Sequence, residues 1–397
     1  MVKELVFHIG DCMTGATAIQ SALSSGSHVL PRGGKIFYPA RINHNPQALT
    51  ISDLPEAPVH APFREARFRA LAEAMTESDA DWGVVSAELF EFVKPEALKA
   101  VLDEFFPDHA GRTRIVAYVR PHHGRIVSGY AEALKKTGGP PMMAGYFDRR
   151  KGAQRFHHPR LAAWRATFGE AFTAKVCHPD RLRAGDVVHD FIAFTTQQPR
   201  ARSTLETLPD SSLSLPDLAM MREVHARIME MEGGEAPGMD LARRQIGWHM
   251  APILGRRHGE LDVPPADRLA MPRPLAQRVA EHFREDAAAM DADFFQGAPL
   301  TKALDEAVEG AIPQRQSLDA ESYFDAAELA RIRAWAEFIG RIAIADPQAF
   351  FWASMPPEER AAHMERARAV DGTLTDDDLR EDTAEGPVLS RIKDKLR

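Results

Sequence analysis

The sequence predicts an α/β fold in which parallel strands form a central sheet and helices connect them. Short apolar, β-rich runs alternate with helical patterns in the first half of the chain, and the strand signal fades after about residue 200. The predicted strands are residues 4–9, 82–87, 114–119 and 171–176. The predicted helices are residues 16–25, 64–77, 95–104, 122–136 and 157–168.

The second half of the chain is predicted to be helical. Its helical patterns are residues 216–233, 240–250 and 272–291. Residues 255–265 contain glycine and proline and are predicted to form a loop. We therefore divide the chain into an α/β domain over residues 1–314 and a helical C-terminal region over residues 315–397. The sheet of the first domain lies mainly before residue 200. An oligomerisation arm is one role open to the C-terminal helices.

The hydrophobic fraction of 44% and the charged fraction of 27% are ordinary for a globular protein. The net charge of −8 argues against a nucleic-acid partner, and no segment has the length needed to span a bilayer. The apolar run from Leu5 to Ile9 is too short for a signal peptide, so we expect a cytoplasmic protein. Cys12 and Cys177 lack the spacing of a metal site, so we expect reduced thiols and no metal.

A glycine turn joins the first predicted strand to the first predicted helix. Such a turn points backbone N–H groups at an anion. Gly10 and Gly15 have the GxxxxG spacing of a nucleotide phosphate loop, but Ala16 stands where that motif has lysine. Hydrolysis of ATP or GTP, as in a P-loop kinase or nucleotidase, is therefore disfavoured.

The same stretch resembles a loop of the PAPS-dependent sulfotransferases. His8-Ile9-Gly10 and the run from Thr14 to Gln20 resemble the 5′-phosphosulfate loop of the bacterial branch, which reads HIG..KTGTTAIQ. Met13 stands at the position of the lysine. The resemblance implies a three-layer P-loop sulfotransferase-like fold. It also implies that the cosubstrate is held by Gly10, Met13, Thr14, Gly15, Ala16 and Thr17.

A second motif extends the resemblance. Arg120 ends a predicted strand and Ser128 follows eight residues later, as in the arginine–serine pair with which sulfotransferases hold a 3′-phosphate. Guanidinium and hydroxyl groups both donate to phosphate oxygens. The stretch from Trp164 to Phe191 and the run Asp293-Phe294-Phe295 also resemble the family, which extends the similarity to about residue 300.

The resemblance implies transfer of a sulfuryl group from PAPS to a hydroxyl of a carbohydrate or small metabolite. The candidates for the base that removes the hydroxyl proton are His44, in a loop, and Glu88, at a strand end. Methionine at position 13 cannot stabilise charge on a leaving oxygen. The alternative is therefore a catalytically impaired protein of the same fold that binds PAPS or its product, or serves as a scaffold.

Overall fold

The computed structural model describes residues 1–55, 57–152, 155–205, 213–261 and 268–354. The predicted C-terminal region after residue 354 lies outside the described residues. The strands are β1 (Glu4–His8), β2 (His28–Val29), β3 (Ile36–Phe37), β4 (Trp82–Ser86), β5 (Thr113–Val119), β6 (Phe172–Val176) and β7 (Arg202–Ser203). The α-helices are α1 (Ala16–Ser24), α2 (Asn45–Leu49), α3 (Ala57–His60), α4 (Arg64–Glu77), α5 (Pro95–Phe105), α6 (His122–Thr137), α7 (Met143–Arg150), α8 (His158–Phe168), α9 (Val187–Thr196), α10 (Leu215–Glu230), α11 (Met239–Leu261), α12 (Arg273–Phe294), α13 (Pro299–Glu309), α14 (Ala326–Ala345) and α15 (Pro347–Ser354).

A five-stranded parallel sheet forms the centre of the α/β part, in the order β3-β4-β1-β5-β6. The predicted α/β fold with a central parallel sheet is confirmed. The short strand β3 and the antiparallel pair of β2 with β7 were not predicted, because two-residue strands carry no alternation to detect. Counted along the chain, the five strands lie in the order 2-3-1-4-5. This differs from the 3-2-1-4-5-6 order of the doubly wound dinucleotide fold.

Both faces of β1 are buried. Val6 belongs to a core with Ile19 of α1 and Phe191 of α9, and all three are fully buried. Phe7 points to the opposite face, where its ring centroid lies 6.1 Å from that of Phe90. Helices therefore cover the sheet on both sides, which explains the continuous apolar run in β1.

Gly83 in β4 shows how closely helices pack on the sheet. A Cβ at this position would overlap Met75 Sδ of α4 and would lie 3.0 Å from Val2 Cγ2. Only glycine lets α4 approach β4 this closely. Helix α4 therefore packs directly against β4 and holds this strand in its place in the sheet.

The chain divides into two compact units. The first contains the sheet and comprises residues 1–126, 149–207 and 273–311. The second unit is helical over its described residues, which are 127–148, 213–261, 268–272 and 312–354. Within the second unit, Ile228 of α10, Met239 of α11 and Ala336 of α14 share one buried core. Described residues of the predicted C-terminal region thus pack with earlier helices, while the boundary at residue 314 stays a prediction.

Helix α11 corrects one loop prediction. It continues to Leu261, so residues 255–261 are helical and not a loop. Gly255 and Gly259 lower helix propensity without ending the helix. Residues 262–265 of the predicted loop lie outside the described residues. None of the helices in the described part of the chain is long and apolar enough to cross a membrane.

Candidate functional site

The candidate site lies where β1, β4 and β5 end, at the carboxyl edge of the sheet. The loop from Ile9 to Gly15 leaves β1 there and leads into α1. Its first residues stay attached to β5, because Asp11 N donates to Tyr118 O at 2.8 Å and Tyr118 N donates to Gly10 O at 2.7 Å. Ligands of open parallel sheets bind at this edge.

The loop then turns through left-handed backbone. Gly10, Met13 and Gly15 have φ angles of 90°, 68° and 86°. Methionine at such an angle is strained, whereas glycine is not. Gly15 is the N-cap of α1, and no side chain caps this helix end. The amides of the first turn of α1, which begins at Ala16, therefore face the loop without a capping side chain.

A buried charge cluster holds the loop from one side. Asp11 is fully buried, and Arg160 Nη2 donates to both of its carboxylate oxygens at 2.7 Å. Arg125 Nη1 lies 3.5 Å from Asp11 Oδ2, and His157 Nδ1 lies 3.4 Å from the same oxygen. Paired in this way, the buried carboxylate is compensated.

Glu91 completes this cluster. Its carboxylate accepts a short hydrogen bond from Arg125 Nη2 and a second one from Cys12 N at 2.9 Å. Cys12 Sγ faces Glu88 O at 3.7 Å. Burial raises the pKa of the Cys12 thiol well above its usual value, and the charges of Glu91 and Glu88 raise it further, against the opposing effect of Arg125. Burial and the two carboxylates thus disfavour the thiolate form of Cys12.

Glu88 lies at the start of a short 3-10 helix (Glu88–Phe92) after β4. Gln20 Nε2 donates to its Oε2 at 3.1 Å, and Asn45 Nδ2 donates to its Oε1 at 2.8 Å. The carboxylate is half-buried, and two amides orient it beside the loop. Each oxygen keeps a further lone pair for a ligand.

His44 is fully buried beside β4. Its Nδ1 accepts a hydrogen bond from Ser86 N at 3.2 Å, and its own N donates to Ser86 O at 2.9 Å. Burial lowers the pKa of His44 to about 3, against the opposing hydrogen bond from Ser86. Asn45, the next residue, reaches Glu88. The structure therefore brings His44 and Glu88 into one hydrogen-bonded group and keeps the imidazole neutral.

Arg120 follows β5 and lies near the loop. Cys177 Sγ donates to Thr14 O at 3.4 Å, and Arg120 hydrogen-bonds to this thiol. Burial raises the pKa of Cys177, and Arg120 opposes the rise. Ser128 lies in α6. The roles of both in binding a cosubstrate stay predictions.

A cavity of about 310 Å³ opens at the end of β6. Its lining includes Val176 and His178, the two neighbours of Cys177, together with Arg181 and Lys302. Cys177, which touches Thr14, is not among the residues that line this cavity. The cavity volume is at the lower end for pockets that hold small molecules.

Four residues of the charge cluster were not predicted as part of the site: Asp11, Glu91, Arg125 and Arg160. The position of Asp11 was a detectable signal in the sequence. A carboxylate that directly follows a buried strand, inside a glycine loop, needs a cation or hydrogen-bond donors as partners. The residues that contact Asp11 or Cys12 in this cluster lie 79 to 149 positions away in the sequence, which spacing alone does not connect. Among the described residues, no group of three or more His, Cys, Asp or Glu side chains could hold a metal ion.

Comparison with known proteins corrects the expected family. The chain is similar to the release factor glutamine methyltransferase of Vibrio cholerae, at 32% identity over 152 residues. The match covers 38% of this chain and 46% of the relative, so it spans about half of the relative's length. No protein-family model and no solved structure matches the chain.

The expected sulfotransferase family, sulfuryl transfer and PAPS cosubstrate are therefore wrong. The matched relative is a methyltransferase, which points to methyl transfer instead of sulfuryl transfer from PAPS. The resemblance depended on the glycine loop, the arginine–serine pair and short stretches up to about residue 300. Strand-to-helix glycine turns recur in unrelated proteins, so short motifs of this kind do not establish a family. The structure also pairs Arg125 and Arg160 with carboxylates, and Met13 supplies no charge.

Proposed function

We propose that the sheet-containing unit binds S-adenosylmethionine at its carboxyl edge and transfers the methyl group to an acceptor. The observation that carries this proposal is the half-buried carboxylate of Glu88, which Gln20 and Asn45 orient beside the loop. A sulfonium cation is stabilised by a nearby carboxylate. The same carboxylate disfavours a phosphate group placed beside it.

The chemical groups of this cosubstrate fit the residues present. The half-buried carboxylate of Glu88 can face the sulfonium group and the methyl group to be transferred. The uncapped first turn of α1 and the guanidinium of Arg120 can donate to the carboxylate of the amino-acid part. The residues that we propose to contact the cosubstrate are Gly10, Met13, Thr14, Gly15, Ala16, Thr17 and Arg120, all predicted from the sequence. Ser128 belongs to the second compact unit and is not part of this proposal.

The cavity at the end of β6 is not used in this proposal, because none of its lining residues belongs to the loop. The proposal does not depend on a shared sheet topology, because the strand order 2-3-1-4-5 is not that of the doubly wound fold. It depends on the charges at the loop and on the matched 152 residues.

When bound, S-adenosylmethionine supplies a methyl group that a lone pair of the acceptor can attack. Glu88 is the first candidate for removing the acceptor's proton, because its carboxylate is half-buried and oriented by Gln20 and Asn45. His44 is the second, although burial disfavours its protonated form. For the acceptor we propose a side-chain amide, in line with the glutamine in the relative's name. A cytoplasmic location remains part of this proposal.

Calorimetric titration tests the charge argument. S-adenosylmethionine and S-adenosylhomocysteine differ by the methyl group and its positive charge. We expect the cation to bind about tenfold more tightly, which corresponds to one favourable charge interaction, and we expect Glu88→Gln to reduce this ratio. Glu104→Gln, at an exposed carboxylate paired with Arg64, is the matched control.

Two results would overturn the proposal. One is equal affinity of the wild type for the two adenosyl compounds. The other is tighter binding of ATP than of either. Transfer of a labelled methyl group to a panel of glutamine-containing peptides and proteins then tests the acceptor.

A further inference from the structure

The loop that begins the candidate site is fixed through one carboxylate. Asp11 N donates to Tyr118 O at 2.8 Å, and Asp11 O accepts from Thr14 Oγ1 at 2.5 Å. The main chain of Asp11 therefore connects β5 with the turn that contains Met13. Whatever orients the Asp11 side chain also orients the peptides from Cys12 to Thr14.

Among the groups that face Asp11, Arg160 makes the shortest contacts. Its Nη2 lies 2.7 Å from both carboxylate oxygens, whereas Arg125 and His157 lie at 3.5 and 3.4 Å. Arg125 is also engaged by Glu91. A charge-assisted bond to both oxygens restricts the rotation of the carboxylate more than one longer contact does.

Arg160 lies in α8, far along the chain from the loop. Its side chain is 16% exposed, while those of Arg125 and Asp11 are 3% and 1% exposed. Arg160 can therefore be replaced with less disturbance of the core than Arg125. Replacing Arg160 therefore tests the orientation of the loop with a smaller loss of stability than replacing Arg125.

We propose that Arg160 is a positioning residue that holds the loop from Asp11 to Gly15 in its ligand-binding conformation. Its guanidinium acts through the Asp11 carboxylate and does not touch the cosubstrate. The part that concerns the cosubstrate rests on the proposed function, whereas the part that concerns the loop does not. Met13 has a φ of 68°, so the turn relaxes when this restraint is removed.

Cys12 provides a reporter that needs no cosubstrate. We would measure the alkylation of Cys12 and Cys177 by iodoacetamide, with mass spectrometry of the two peptides. For Arg160→Met we expect Cys12 to react about tenfold faster, the effect of losing one charge-assisted hydrogen bond. The rates are measured well below the melting temperature, which we expect to fall because the buried Asp11 loses a partner. Arg160→Lys should restore part of the protection. Arg165→Met is the control, because Arg165 of the same helix bonds to Asp293 O.

Affinity for S-adenosylmethionine gives the second readout, and we expect it to fall about tenfold in Arg160→Met. Faster alkylation without cosubstrate binding by any form, wild type included, would overturn the proposed function and leave the positioning role intact. Equal Cys12 rates in wild type and Arg160→Met would overturn the positioning role. If Arg160→Met does not fold, Arg160→Lys and the double variant Arg160→Met/Asp11→Asn replace it, and the same comparison of Cys12 rates decides.

Discussion

Ion pairs in the two compact units have the same chemistry and opposite surroundings. In the first unit, the side chains of Arg125 and Glu91 are 3% and 1% exposed. In the second, Arg227 of α10 bonds to Glu337 of α14 at 2.6 Å, with exposures of 37% and 35%. Water solvates the second pair, whereas the first depends on the protein for compensation of every charge.

We therefore expect the removal of a charged side chain to cost more free energy of unfolding in the buried cluster than in the exposed pair. The cluster around Asp11 combines two carboxylates and two guanidinium groups, so its formal charges balance. Removal of one member leaves a buried charge without a partner. Removal of one member of the α10–α14 pair leaves a charge in water. Urea denaturation of three variants tests this contrast.

Arg125→Met should have the largest effect. It leaves Glu91 buried without its cation, and loss of one partner of such a pair costs about 3–5 kcal/mol of unfolding free energy. Urea denaturation measures the change. The double variant Arg125→Met/Glu91→Gln should recover part of the loss, because the amide still accepts from Cys12 N and carries no charge. A loss under about 1 kcal/mol for the single variant would contradict the argument.

His44→Gln should have an intermediate effect, visible as a change in pH dependence. An unfolded histidine binds a proton below about pH 6.5, whereas His44 in the folded protein does so only near pH 3. Between these values the unfolded state holds more protons, so stability falls as the pH falls.

Each such histidine contributes up to about 1.4 kcal/mol per pH unit in this window. We expect His44→Gln to reduce the slope of unfolding free energy against pH by that amount, measured by urea denaturation from pH 6.5 to 4. His178→Gln is the control, since that side chain is 40% exposed. An unchanged slope in His44→Gln would mean that His44 is protonated in the folded protein.

Arg227→Met should have the smallest effect. Because both members of the α10–α14 pair are exposed, water replaces the lost contact with Glu337. We expect the urea midpoint to stay within experimental error of the wild type. A loss as large as that of Arg125→Met would show that exposure does not distinguish the two pairs.

The local sequence determined the strands and helices that carry the site. The apolar run in β1, the glycine turn and the helical pattern of α1 each follow from short-range periodicity and backbone freedom. Glu88 was predicted for the same reason, because the end of a buried strand is visible in sequence. The strand β3 was not predicted, since its two residues give no periodic signal.

The electrostatics of the site depend on contacts between residues that are far apart in the sequence. Asp11 and Arg160 are separated by 149 residues, and Cys12 and Glu91 by 79. No periodicity connects residues at such distances, because their contact depends on how β1, β4 and α8 pack. Burial likewise decided that His44 is neutral, a property that its neighbours in sequence do not set. Local sequence patterns set the position of the loop in the chain, between β1 and α1. Long-range packing set which charges surround it.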